Sequence, residues 1–476
     1  MSFNGHLTDY LQQHAEASPD KLALVTNDKS LTWLELWQRV QAGSAHLDSL
    51  LPSESQQIVA ILMPNSWQYV VAYLSIVHAG HMALPIEVIY KPLEIEAVLH
   101  QVPAALIITD QTNHSRLPLR SAPVVEVEEF ASVAPTSRSA YLRLAADKQI
   151  ACLLFTSGTT GKPKVVPCSH ANHLWNIKVC SQVWNWTDQD SQLVSLRLSH
   201  WYGIVMGLAG TLYHGNTMYL MDRFDAEATL TLLASGKISI FSHSPPVYAK
   251  LLEVPTSYDL SGVRLFISGS GPLPPTIWEK FKNRFGQEIL EVYGSTETGR
   301  IASNLLDERL PGSPGRLLPE VKIKFSPQGE VLVKSPGLLP GYFNNPGATA
   351  KTLDSSGYCR TGDLGELKDG HLFLRGRTLE KIRKQGYTIS PRDIEWALYN
   401  DHRIKEALVI GVQRPGESND ELVYFLVGEV DEAEIKEFCQ ANLPSIWRPD
   451  KIVLLPDLPR TRNGKPQLAK LKAMVK

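Results

Sequence analysis

The chain of 476 residues is poor in the features that mark specialised classes of protein. Its five cysteines, Cys152, Cys168, Cys180, Cys359 and Cys439, are odd in number and never form CxxC, which argues against a disulfide framework and against a zinc site. A reducing cytoplasm is the simplest home for such a chain. There is no surplus of one charge: 47 lysines and arginines face 49 aspartates and glutamates, so electrostatics names neither nucleic acid nor a polyanion as partner. There is no long hydrophobic run either. The most apolar stretch, Val70 to Ile86, is interrupted by His78, Gly80 and His81 and is short for a bilayer, so no membrane insertion is expected. The N-terminus lacks the basic start and apolar core of a secretory signal, and no internal repeat stands out.

What is present is the make-up of an ordinary globular protein, 43% apolar and 20% charged, at a length that exceeds one compact core. Thr32-Trp33-Leu34-Glu35 fits a capping box, with a helix running on through Val40 and Leu47. Ile58 to Met63 is a continuous apolar run, Pro64-Asn65-Ser66 a turn, Trp67 to His78 helical in period, and the residues after Gly80 a second apolar run ending at Pro85. That reads as strand, helix and parallel strand. Ala105 to Thr109, Ala151 to Phe155, Ser239 to Ser242 and Val263 to Ser268 repeat the pattern, which predicts an α/β fold with doubly wound parallel sheets. From Gly312 onward short alternating segments, Val321 to Phe325, Glu330 to Val333 and His371 to Leu374, predict an antiparallel, β-barrel-like subdomain. A charged stretch from Arg377 to Lys384 then leads into about a hundred residues with their own strands and helices. The expected division is a large domain over 1–378 and a small α+β domain over 379–476.

The most informative segment, Thr156-Ser157-Gly158-Thr159-Thr160-Gly161-Lys162-Pro163-Lys164, follows directly on an apolar strand. Its glycines let backbone amides approach a phosphate, its hydroxyls donate hydrogen bonds and its lysines neutralise charge. It is no Walker A loop, since the glycine spacing is too short and Pro163 stands where magnesium would need a hydroxyl. On its own the segment reads equally as a loop of small polar residues.

Two further segments, Tyr293-Gly294-Ser295-Thr296-Glu297 and Thr361-Gly362-Asp363-Leu364-Gly365, remove most of that ambiguity. Gly376-Arg377, the stretch Gly386 to Glu395 and the terminal Pro459-Arg460-Thr461-Arg462-Asn463-Gly464-Lys465 follow in order. Together with the loop they resemble the acyl-adenylate-forming superfamily of AMP-binding enzymes, and its acyl- and aryl-CoA synthetases in particular, over nearly the whole chain. The residue types suit the chemistry: Tyr293 offers a face for adenine, Thr296 a donor to the α-phosphate, Glu297 a hard oxygen for Mg2+, Asp363 an acceptor for two ribose hydroxyls and Arg377 a fork for ribose or phosphate oxygens. Standing alone, each has a plainer reading as a strand end, a turn cap or a surface charge. Lys465 alone would be a solvated lysine in an Asn-Gly hairpin turn.

The resemblance implies a reaction in two halves: ATP converts a carboxylic acid into an acyl-adenylate with release of pyrophosphate, and a thiol, that of CoA or of a carrier-protein phosphopantetheine arm, then takes the acyl group. Lys465 would bridge the attacking carboxylate and the α-phosphate, assisted by Thr296. ATP would be held by Thr156, Ser157, Gly158, Thr159, Thr160, Gly161, Lys164, Ser270, Gly271, Tyr293, Gly294, Ser295, Asp363 and Arg377, and Mg2+ by Glu297. The small domain would be mobile and would rotate to bring Gly386 to the pantetheine arm. Where the family usually has a charged hinge residue this chain has Leu379, and Thr388 stands at a position often polar or basic.

His200, Trp201 and Gly203, in Leu196-Arg197-Leu198-Ser199-His200-Trp201-Tyr202-Gly203, match the segment that flanks the acid. Adenylation domains for α-amino acids usually carry an aspartate where Trp201 stands, so an ammonium group would be buried unpaired here and amino acids are disfavoured. Aryl or medium aliphatic acids remain. The alternatives are an acyl-AMP ligase serving a carrier protein or an amine, and a nucleotide-binding regulatory protein; intact Lys465, Glu297 and Asp363 speak against the last.

Overall fold

The computed structural model describes residues 5–52, 54–118, 122–131, 144–156, 163–385, 387–413, 419–461 and 466–475. Of the expected site, Ser157, Gly158, Thr159, Thr160, Gly161, Gly386 and Lys465 lie outside the described residues.

The fold grows from two parallel sheets that share a buried helix. In the first, Ile58–Leu62 lies between Met82–Pro85 and Leu106–Thr109, all parallel, with Val124–Glu126 at one edge and Ile150–Thr156 beyond Met82–Pro85. Lys164–Ser169 closes the other edge antiparallel. In the second, Leu22–Val25, Thr217–Leu220, Ser191–Val194, Ile240–His243, Leu265–Ser268 and Ile289–Ser295 run parallel side by side. The helix Trp67–His78 packs between them and is buried from Tyr69 to His78, which is what a helix apolar on every face requires. Its start is set by Ser66, whose hydroxyl accepts from the Tyr69 amide at 3.1 Å. Thr32 and Glu35 form the expected reciprocal cap of Trp33–Leu50, with the Glu35 amide 3.2 Å from Thr32 Oγ1 and the Thr32 amide 2.9 Å from Glu35 Oε2.

Past Ile289–Ser295 the second sheet turns antiparallel through Gly299–Ser303, Arg316–Leu317, His371–Arg377, Cys359–Lys368, Glu330–Lys334 and Lys322–Phe325. The antiparallel expectation holds for these segments. Among the described residues, however, the ladder ends on Lys322–Phe325 and does not close into a barrel, because these strands extend the parallel sheet rather than curling on themselves.

From Ile382 the chain builds cores of its own. Ile404–Gln413, Asp420–Gly428 and Lys451–Leu454 form a three-stranded sheet. One face packs against the helices Pro391–Leu398 and Glu432–Asn442 through Ile394, Leu398 and Ile435, and the other against Leu468–Ala473 through Leu471. These residues meet the larger part at Arg375, which pairs with Asp393 at 3.1 Å and whose carbonyl accepts from the Ser390 hydroxyl. No helix among the described residues is long and apolar enough to cross a membrane.

Candidate active site

Three antiparallel hairpins carry the predicted nucleotide residues, and their registers bring those residues together. In the first, Thr156 stands directly opposite Lys164 where the glycine-rich loop leaves the sheet. Lys164 Nζ lies 4.7 Å from the centre of the Tyr342 ring, and the Tyr342 hydroxyl donates to Glu297 Oε1 at 3.3 Å. One phenol therefore joins the end of the phosphate loop to the predicted magnesium residue. Burial, then the charge of Glu297, push the Tyr342 pKa up, which keeps the phenol a donor at neutral pH.

In the second hairpin Val292 faces Ser303 and Tyr293 faces Ala302, after which the register shifts so that Gly294 faces Arg300 and Ser295 faces Gly299. Glycine is needed at both bare positions: a Cβ on Gly294 would meet the Gly299 carbonyl oxygen at 2.2 Å, and Gly299 has φ +65. Across the tip the Ser295 amide bonds Thr298 Oγ1 at 3.1 Å and the Thr298 amide bonds Ser295 Oγ at 3.2 Å. Those bonds fix Thr296 and Glu297 at the end of the turn. Ser270 and Gly271 follow Leu265–Ser268, two residues past the rung that pairs Ser268 with Glu291, and so reach the level of Tyr293 at the carboxyl ends of parallel strands. Ser270 holds φ +69, a left-handed backbone that a serine adopts at a cost, and the space around Gly271 is open.

The third hairpin sets Asp363 directly opposite Arg377, whose Nε donates to Asp363 Oδ1 at 2.9 Å. The Tyr293 hydroxyl donates to Asp363 Oδ2 at 2.6 Å. Burial, and then the Asp363 charge, hold the Tyr293 pKa well above its usual value. Burial works against the charge of Arg377, but Asp363 beside it more than compensates and its pKa is raised. Each carboxylate oxygen has a second lone pair, so Asp363 can accept from two ribose hydroxyls without losing its protein partners.

A narrow cleft runs between these hairpins and the first sheet, and its walls include Thr296, His200, Trp201, Ser199, Phe155 and Glu87. The turn that presents His200 depends on Gly203, where a Cβ would meet the Arg197 carbonyl oxygen at 2.1 Å. Gly203 thus shapes the turn, while His200 and Trp201 form the wall. The Tyr202 amide donates to His200 Nδ1 at 3.2 Å, which orients the imidazole, and Arg197 Nη1 holds the Glu87 carboxylate at 2.8 Å.

The residues fit a magnesium ion bound with ATP. Glu297 has no ion pair with a lysine or arginine among the described residues, and no cluster of three or more metal-ligating side chains surrounds it. That is the usual donor set for Mg2+, one or two carboxylates completed by phosphate oxygens and water. Lys384, at the end of the charged stretch that begins at Arg377, is paired with Asp450 at 2.7 Å.

Reading from sequence missed Tyr342 and Arg300. Arg300 is 2% exposed, stacks 4.9 Å from the centre of the Trp201 ring and 4.7 Å from that of Tyr202, and was visible as a lone charge in the buried strand Gly-Arg-Ile-Ala-Ser.

His243, at the end of the strand beside the Tyr202 wall, gives a test by pH. Its Nδ1 accepts from the Ser244 amide at 2.8 Å, and burial pushes its pKa down to about 3. The folded protein therefore refuses a proton that the unfolded chain accepts near 6.5, so the stability His243 contributes is present above that pH and lost as pH falls toward 3. Between pH 7 and 5 the loss from one such histidine is about 2 kcal/mol. His243→Gln is expected to flatten the acid limb of a denaturant stability profile by that amount; an unchanged limb would show that this imidazole is not the group responsible.

Comparison with known proteins agrees with this geometry. The family model of the AMP-binding enzymes matches residues 11–343, and that of the AMP-binding enzyme C-terminal domain matches residues 393–465. A 2-succinylbenzoate–CoA ligase of Listeria innocua is 30% identical over 98% of this chain and 99% of its own. The ATP-bound crystal structure of MatB from Rhodopseudomonas palustris superposes with a TM-score of 0.91 at 26% identity, covering 100% of this chain and 99% of that one. The o-succinylbenzoate CoA synthetase MenE of Bacillus subtilis, solved with ATP and magnesium, gives 0.85 at 26% identity over 97% and 99%. The chain belongs to the AMP-binding enzymes.

Proposed function

We propose that this protein joins a small carboxylic acid to AMP and passes the acyl group to the thiol of CoA. It is an AMP-forming acid–thiol ligase that uses ATP and Mg2+. The observation that carries the reading is the cleft in which Thr296, at the tip of the nucleotide hairpin, shares walls with His200 and Trp201. An acid seated against those two residues has its carboxylate next to the predicted α-phosphate donor.

A carboxylate cannot expel oxide, so its oxygen must first become part of a better leaving group, and AMP serves. The protein's work is placement and charge. Tyr293 stacks the adenine, Asp363 with Arg377 behind it anchors the ribose, and Lys164 with the Thr156–Gly161 loop holds the departing pyrophosphate. Glu297 would hold Mg2+, which would supply positive charge to the phosphate oxygens. Lys465 neutralises the charge that builds between carboxylate and α-phosphate. For the second half, residues 379–476 rotate about the region of Leu379, withdraw Lys465 and bring Gly386, which has no side chain to block the pantetheine arm, to the adenylate.

The acids expected are aryl or medium aliphatic. The relative from Listeria innocua is named for 2-succinylbenzoate. An α-amino acid is opposed twice over, by the absence of an acid at Trp201 and by the cation of Arg300 stacked on that ring. Pyrophosphate release with ATP, Mg2+ and a panel of acids, with and without CoA, tests the proposal. Turnover on one class that CoA stimulates supports it; release indifferent to CoA would move the acceptor to a carrier phosphopantetheine or an amine.

A further inference from the structure

Among the described residues, Arg300 is a buried cation without a counterion. Its side chain is 2% exposed, its Nε and Nη2 have no hydrogen-bond partner, and no carboxylate pairs with it among the described residues. The nearby buried carboxylate of Glu291 belongs to Arg309, at 3.6 Å. The faces of Trp201 and Tyr202 offset part of the cost of burying a guanidinium but supply no anion for it. A chain that keeps such a group in its interior has either an anion for it or a stability defect.

The surroundings of Arg300 belong to the acid side of the active site. It stands directly opposite Gly294, just past a register shift, where the Gly299 carbonyl fills the place of a side chain. Thr296 is two residues further along, in the turn that follows Ser295. The Tyr202 hydroxyl, on the second ring that Arg300 stacks against, packs against Gly269 and bonds Ser242 Oγ at 2.6 Å. Trp201 is at once a wall of the cleft that holds Thr296 and His200 and the ring on which Arg300 stacks.

We propose that Arg300 recognises a second anionic group on the acid, and that the preferred substrate is therefore a dicarboxylic acid. The inference rests on the ligase reading and adds its substrate class: one carboxylate is adenylated at Thr296, and the other accepts from the unpaired nitrogens of Arg300, with the one hydroxyl proton that Tyr202 and Ser242 do not spend on each other as a further donor. A guanidinium suits this task because its planar fork meets both oxygens of a carboxylate.

The test is acid-dependent ATP–pyrophosphate exchange with matched pairs of equal carbon number, butyrate against succinate, hexanoate against adipate and 2-methylbenzoate against phthalate, for the wild type, Arg300→Met and Arg300→Lys. The wild type is expected to favour the diacid of at least one pair. Arg300→Met is expected to lower the diacid-to-monoacid ratio of kcat/KM at least 100-fold, and Arg300→Lys to keep part of it. Melting separates recognition from packing: the diacid should raise the Tm of the wild type and not of Arg300→Met, and ligand-free Arg300→Met should melt no lower than the wild type. A wild type that uses monoacids as well as diacids would overturn the proposal and leave the ligase standing. A methionine variant that melts lower and loses all acids equally would make Arg300 a packing residue. Exchange with no acid at all would overturn the ligase reading, and this proposal with it.

Discussion

Lys465→Ala is expected to slow adenylate formation by at least about a thousandfold, because the charge developing between carboxylate and α-phosphate would lose the lysine proposed to neutralise it. The same variant supplied with a preformed acyl-adenylate should still transfer the acyl group to CoA at close to the normal rate. Gly386→Trp should do the reverse, making adenylate and pyrophosphate but failing at the thiol step, since a side chain there would fill the path of the pantetheine arm. Single-turnover measurement of each half-reaction separates the two. Both variants losing both halves equally would contradict a small domain that serves the two steps in two orientations.

Asp363→Ala should raise the KM for ATP about 100-fold, with the stronger effect on binding than on turnover. The reason is visible in the third hairpin. Asp363 accepts from Arg377 at 2.9 Å and from the Tyr293 hydroxyl at 2.6 Å, so its removal takes away the ribose acceptor and also leaves a guanidinium and a phenol without the partner that positions them. Asp363→Asn keeps the shape but brings two donors where acceptors are needed, and it should recover little. An alanine variant with normal ATP affinity would show that the ribose is held elsewhere.

Much of this was legible in the sequence, for reasons that differ by element. Trp67–His78 and the cap of Trp33–Leu50 are local: a period and a four-residue box fix them before any tertiary contact forms. The buried strands announced themselves as apolar runs. The order of the strands did not, because the placing of Leu22–Val25 beside Thr217–Leu220 is a pairing across nearly two hundred residues that no local pattern encodes. The barrel-like closure expected after Gly312 was unreadable for the same reason: alternation identifies the antiparallel strands, which are there, but is silent on whether the last meets the first, and among the described residues it does not.

The residues proposed for the nucleotide were recognisable as candidates because each lies in a short run whose composition suits phosphate, adenine or ribose. Tyr342 was not, since it joins Lys164 to Glu297 from outside every such run. Arg300 was hidden by its position just past Glu297, where attention to the motif ends. The burial that makes an arginine there unusual is a property of the folded sheet.

The central claim is that an oxygen of the acid becomes an oxygen of AMP, and labelling that oxygen tests it most directly. With an acid carrying 18O in its carboxylate, ATP, Mg2+ and CoA, the account predicts one labelled oxygen in the AMP produced and none in pyrophosphate. Label recovered in inorganic phosphate, with ADP as the nucleotide product, would mean an acyl phosphate intermediate and contradict it.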